Sequence, residues 1–146
     1  VDITEAVLSR TENSVRTDFQ MEKINLGVSF SDHRGTITDL IENETINSVT
    51  IVTFRAGAIR GNHYHRETSQ WNYLITGELE YVYRNGDDEK IENSIIVKGD
   101  LIYTPPGEHH ALVGLSDSEL LVLTRGPRGG KEYESDTIRL QPTLRS

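Results

Sequence analysis

The chain is interrupted by turn signals too often to hold long helices. "SVTIVTF" (Ser48 to Phe54) is a short β-branched run. "WNYLITGELEYVYRNGDDEK" reads as strand, tight turn at Thr76-Gly77-Glu78, strand, and a second turn at Asn85-Gly86-Asp87. Asn-Gly between alternating apolar runs is a strong short-range hairpin signal. Further pairs turn at Lys98-Gly99-Asp100, at Ser116-Asp117-Ser118, and upstream at Asp32-His33-Arg34-Gly35, while Pro105-Pro106-Gly107 closes a strand. Turns every ~8–12 residues, without a long 3.6-residue periodicity, predict an all-β sandwich or barrel. A short helix is expected around Thr4 to Ser9, and residues 127–135, "PRGGKEYES", are expected to form a loop.

At 146 residues the chain suits one domain, read here as 1–146. A barrel core is expected over 26–126, with an N-terminal extension (1–25) and a C-terminal tail (127–146). There is no cysteine, so disulfides and thiolate metal sites are excluded. No apolar run approaches the ~18 residues of a membrane span, and no basic-then-apolar leader pattern opens the sequence. A soluble cytoplasmic protein is expected, with no membrane partner. The net charge of −8 and the scattered arginines argue against a nucleic-acid partner. Single arginines remain suited to a small anion such as a diphosphate.

Two of the five histidines, His63 and His65, stand one residue apart in "GAIRGNHYHRETSQWNYLITG" (Gly57 to Gly77). On a strand, residues two apart share a face, so both imidazoles point the same way. A lone histidine there would read as a polar surface residue or a satisfied core group. The repeat favours metal or proton chemistry.

The wider spacing strengthens that reading. Gly57-x5-His63-x-His65-x4-Gln70-x6-Gly77 resembles the first motif of the cupin family, with Gln70 where that motif usually has Glu. Gly99-x5-Pro105-x-Gly107-x2-His110 resembles the second, with Gly114 in place of the usual Asn. The resemblance implies a single-domain cupin, a double-stranded β-helix or jelly-roll barrel. It also implies a metal set of His63, His65, Gln70 and His110 for a divalent transition ion (Fe, Mn, Ni or Zn), with Gln70 either bound to the ion or hydrogen-bonding behind it without touching it. Alternation turns His109 away from such a cavity. Trp71 should point opposite to Gln70, into packing or a subunit contact. His33 falls in a turn and reads as surface. Tyr64 and Tyr73 are candidates to stack on a base or sugar, but aromatics at strand spacing read first as core packing.

Three segments narrow the resemblance. "IRGNHYH", "PPGEHHALVGLSDSELLVLTRG" and "SDHRGTITDL" are similar to segments of deoxythymidine-diphosphate-sugar 3,5-epimerases of rhamnose and related pathways. In that family the histidine matching His63 is the general base, and the arginine matching Arg60 binds the anionic nucleotide sugar. Arg34 becomes a second ligand-binding candidate, and Tyr133 a candidate for the family's tyrosine acid. Those epimerases carry Gln where this chain has His65, and they work without metal. The two resemblances therefore compete at His63, because a nitrogen bound to metal cannot also take a proton.

The leading expectation is a metal-binding cupin that isomerises or epimerises a nucleotide-linked keto-sugar in polysaccharide biosynthesis. A metal-dependent dioxygenase and a non-catalytic small-molecule-binding protein are the alternatives. A homodimer is expected, with "KINLGVSF" (Lys23 to Phe30) adding a strand to a neighbour's sheet.

Overall fold

The computed structural model describes residues 21–87 and 89–146. The expected helix at Thr4 to Ser9 lies outside them. Among the described residues twelve strands and one helix follow in chain order: β1 (Glu22–Asn25), β2 (Phe30–Asp32), β3 (Gly35–Ile37), β4 (Ser48–Phe54), β5 (Ile59–His65), β6 (Ser69–Thr76), β7 (Glu78–Arg84), β8 (Glu92–Val97), β9 (Asp100–Thr104), β10 (His109–Gly114), β11 (Ser118–Arg125), α1 (Gly130–Asp136) and β12 (Thr137–Arg139). Two five-stranded sheets result, ordered β1-β9-β6-β11-β4 and β12-β5-β10-β7-β8, with β2-β3 as a separate hairpin. All pairings are antiparallel. This is the cupin jelly roll that the motif spacing implied.

Alternation decides what each sheet buries. The inward rows meet in a core that includes Phe54, Leu74, Leu79, Ile102, Leu112 and Leu120. Outward on the first sheet, Trp71, Leu101 and Tyr103 are covered by Leu26, Ile41 and Ile46. Trp71 thus packs on the face away from Gln70. Outward on the second sheet, Val82 and Ala111 are covered by Leu140 and Leu144 of the C-terminal tail.

Two segments differ from the sequence reading. Part of 127–135, expected as loop, is helical, since α1 runs Gly130–Asp136. It has a glycine at its N-cap and no side-chain cap, so the usual start signal is missing. The chain then continues into β12, which pairs with β5. The start of "KINLGVSF" is also used within the chain, because β1 pairs with β9 of its own sheet. Both β1 and β12 fall outside the 26–126 span read as barrel core. Among the described residues no helix is long and apolar enough to cross a membrane.

One irregularity positions the site. In the β5–β10 ladder His63 pairs with His110, but the next residue of β10, Ala111, pairs with Gly61. Asn62 is the extra residue, a β-bulge, and its φ is +54°. Asparagine tolerates that left-handed conformation better than most residues. At neighbouring Gly61 (φ +87°) a Cβ would lie 2.9 Å from the His110 carbonyl oxygen, so the two backbones approach where only glycine fits. The bulge reverses the phase of β5. Arg60 pairs with inward Leu112, so Arg60, His63 and His65 share the inward face.

Candidate active site

β5 and β10 deliver three imidazoles to one point. The ring centroids of His63 and His65 are 4.7 Å apart, those of His63 and His110 4.8 Å, and those of His65 and His110 5.6 Å. His65 and His110 are each 2% exposed. One nitrogen from each ring can be chosen so that all lie within 4.8 Å of one another.

The surroundings fix two of the tautomers. His110 Nδ1 lies 3.1 Å from the Glu108 carbonyl oxygen. A carbonyl only accepts, so Nδ1 carries the proton and Nε2 keeps a free lone pair. His65 Nδ1 lies 3.2 Å from Thr137 Oγ1, whose own proton goes to the Tyr133 carbonyl at 2.8 Å. The hydroxyl oxygen therefore accepts from His65 Nδ1–H. His65 Nε2 is left bare and buried, without a partner among the described residues. The Asp136 carboxylate lies 3.9 Å from the same Nδ1 and is itself held by the Glu67 amide (2.7 Å) and the Thr68 hydroxyl (2.5 Å). His63 Nδ1 is also buried without a partner.

Burial keeps all three rings neutral. It pushes His63 down to about 3, helped by the charges of His65 and Arg139. It pushes His65 down to about 4, against the pull of Asp136 and with the push of Arg128. His110 falls well below the usual histidine range, by burial first and then by its two neighbours. Neutral imidazole is the form needed by a base or a metal ligand.

The other sequence candidates fall unevenly. Gln70 is buried between Thr104 and Thr124, in the inward row of β6 that includes Leu74, and so faces the interior from the opposite sheet. The Tyr133 ring, on α1, stands 5.7 Å from His65, with the Arg128 guanidinium 4.8 Å over it. Arg60 donates two hydrogen bonds to the Thr53 carbonyl (3.2 and 3.1 Å) and lies 5.4 Å over Phe54. Arg34 stands on the separate β2–β3 hairpin, exposed, with its guanidinium committed to Asp32 at 2.6 Å. His109 turns outward, stacks on Tyr64 at 4.9 Å, and accepts from Arg84 Nε at 3.0 Å.

Sequence reasoning missed Asp136, Thr137, Tyr81 and Glu108. The first two follow a stretch read as loop and reach His65 only because β12 pairs with β5. Tyr81 sits in an ordinary alternating strand. Glu108 occupies an unspecified position inside Pro105-x-Gly107-x2-His110.

Fold and site together define a cupin whose interior is lined by neutral histidines. The chain belongs to the polysaccharide biosynthesis C-terminal domain family, whose family model matches residues 30–138. No curated protein matches it. Among solved structures it resembles a 3,4-ketoisomerase from Helicobacter canadensis (TM-score 0.70, 20% identity, 85% of this chain and 93% of that one). It also resembles a TDP-quinovose 3,4-ketoisomerase from Campylobacter jejuni (TM-score 0.71, 19% identity, 84% and 95%). A dTDP-4-dehydrorhamnose 3,5-epimerase from Sulfolobus tokodaii shares the fold at TM-score 0.63 and 18% identity, over 77% of this chain and 73% of its own.

Proposed function

We propose that the protein isomerises a keto-sugar linked to a nucleoside diphosphate, moving the carbonyl to the neighbouring carbon. The observation that carries this is His65, neutral, with Nδ1–H held by Thr137 and a bare Nε2 inside the barrel. The ketoisomerases named above also share more of both chain lengths than the epimerase does.

Nε2 of His65 takes the proton from the hydroxyl-bearing carbon beside the ketone, and that C–H bonding pair becomes a C=C bond. The former carbonyl oxygen gains a proton from the Tyr133 hydroxyl, giving an enediol. In the second half the neighbouring hydroxyl returns a proton to Tyr133, and the imidazolium protonates the carbon that had been the ketone. Atoms and charges balance without an oxidant. His63 and His110 accept hydrogen bonds from the sugar hydroxyls. Asp136, near His65 Nδ1, stabilises the imidazolium as it forms. Arg60, exposed on the same face of β5, is the candidate contact for the diphosphate, and Arg34 is a second. The activity is tested by offering the nucleotide-linked 4-keto sugar and following the carbonyl by NMR. Unchanged substrate after prolonged incubation ends the proposal.

The same nitrogens support a second reading. His63, His65 and His110, with Gln70 across the interior, are donors suited to Fe, Mn, Ni or Zn, and a bound ion would polarise the ketone. Nitrogens around a tetrahedral ion stand about 3.4 Å apart, given bonds of about 2.0–2.1 Å, and one nitrogen from each ring lies within 4.8 Å of the others, near enough to meet on one ion. A base needs only one prepared nitrogen. Exhaustive chelation is therefore expected to leave turnover unchanged. Loss on chelation with recovery on adding one of these ions would transfer the site to the metal reading, which the dioxygenase alternative also requires.

A second copy of the chain is the proposed partner of β4. Among the described residues this strand ends its sheet, and its outward Val49 and Ile51 are 62% and 51% exposed. A long, apolar, unpaired edge favours pairing with another chain. Light scattering at micromolar concentration should give a dimer, with Ile51→Lys shifting it toward monomer; a wild-type monomer overturns the idea.

A further inference from the structure

We propose that Glu108 is a positioning residue of this site, orienting Tyr81 through its carboxyl and His110 through its carbonyl, an inference that rests on the isomerase reading. Glu108 lies between β9 and β10 and is 2% exposed. Among the described residues no Lys, Arg or His side chain forms an ion pair with it. Its Oε1 accepts from the Tyr81 hydroxyl at 2.7 Å. A carboxyl buried without a cation is costly even though the Tyr81 hydroxyl and the Met21 amide both donate to it. A costly buried side chain beside a reactive cluster is the pattern of a functional group.

The hydrogen bonds around it share one direction. The Asn72 amide donates to Thr104 Oγ1 at 3.2 Å. Thr104 Oγ1 lies 2.6 Å from the Tyr81 hydroxyl. With the Tyr81 proton directed to Glu108, Thr104 donates to Tyr81, and the chain ends at the carboxyl. Without that acceptor the Tyr81 hydroxyl must turn, and the protons behind it lose their order. The Tyr81 ring lies parallel to His110, 6° between planes and 6.2 Å between centroids. A shift in Tyr81 is therefore passed to the imidazole whose Nδ1–H is fixed by the Glu108 carbonyl at 3.1 Å. His110 in turn packs edge-on to His63. A displacement of about 1 Å in such a site costs roughly 100-fold in rate.

The test compares Glu108→Leu and Glu108→Gln in the full chain. Readouts are melting temperature, kcat, KM for the nucleotide-linked keto-sugar, and the ¹⁵N resonances of the His110 ring. Glu108→Leu should lose about 100-fold in kcat with KM little changed, and shift the His110 resonances. Glu108→Gln, whose amide oxygen still accepts from Tyr81, should keep most of kcat and the wild-type resonances. Wild-type kcat in Glu108→Leu overturns the proposal, as does a parallel fall of kcat and melting temperature in both variants. If Glu108→Leu does not fold, Tyr81→Phe replaces it: a kcat loss at constant KM supports the proposal, and full activity overturns it. If wild type turns over no keto-sugar, the isomerase reading fails on its own. The His110 resonances then decide, with a shift in the leucine variant supporting positioning and unchanged resonances overturning it.

Discussion

His65→Asn is expected to lower kcat by about 10³-fold while leaving KM for the nucleotide sugar nearly unchanged. Asparagine keeps a similar reach and can still meet Thr137, but it has no lone pair able to take a proton from carbon. His63→Asn is the comparison, since the motif resemblance alone assigns the base to His63. There a loss of about tenfold is expected, the scale of one hydrogen bond to a sugar hydroxyl. The reverse order of losses would return the base to His63. The pH profile gives a second measurement. Burial sets His65 at about 4, so the ring stays in its active, neutral form down to that region. Burial pushes Glu108 up to about 8, so the comparison is made below pH 7, where its carboxyl stays protonated. There kcat should be flat from pH 7 to 6 and fall only as pH drops below about 5, whereas a base near the ordinary histidine value of about 6.5 would already be failing at pH 6.

Tyr133→Phe is expected to cost about 10²-fold in kcat, the lower range for loss of a proton donor. The substitution is selective because Tyr133 has two separable parts in the site. Its carbonyl takes the Thr137 proton and so maintains the His65 tautomer, and phenylalanine keeps that carbonyl. Its ring stands against His65 and beneath Arg128, and phenylalanine keeps that packing as well. Only the hydroxyl is lost. Exchange of the substrate C–H with solvent deuterium should persist while net isomerisation drops, because His65 can still remove and return the carbon proton. Undiminished isomerisation would mean that the oxygen proton comes from another group.

The sequence was most informative where local physics acts alone. Asn85-Gly86 and Lys98-Gly99 turn where backbone chemistry makes turning easy, and strict alternation put His63 and His65 on one face. The cupin spacing extended this to His110 and to the inward side of Gln70. The rest depended on long-range pairing. Asp136 is 71 positions after His65 in the chain, and only the β12–β5 pairing brings them together. α1 lacks a capping side chain and spans seven residues, so it has neither a start signal nor room for an apolar period. Arg60 was found by family likeness; alternation would have placed it opposite His63. Arg34 matched a motif, yet the fold sets it on a hairpin of its own. Glu108 carries no sequence signal, since its importance arises from burial beside Tyr81.

The extra residue at Asn62 acts on β5 as a frameshift acts on a message. Upstream of it even-numbered residues face the interior; downstream odd-numbered ones do. An Arg and a His three residues apart on one strand face therefore record a misstep in the ladder. The two halves of the strand are also uncoupled as units of change. On the proposed assignment, the stretch that includes Arg60 can be rewritten to suit a different anionic handle, and the stretch that includes His63 and His65 need not be disturbed. A strand without the slip would tie binding and chemistry to one alternation, so a residue gained for one would displace a residue serving the other.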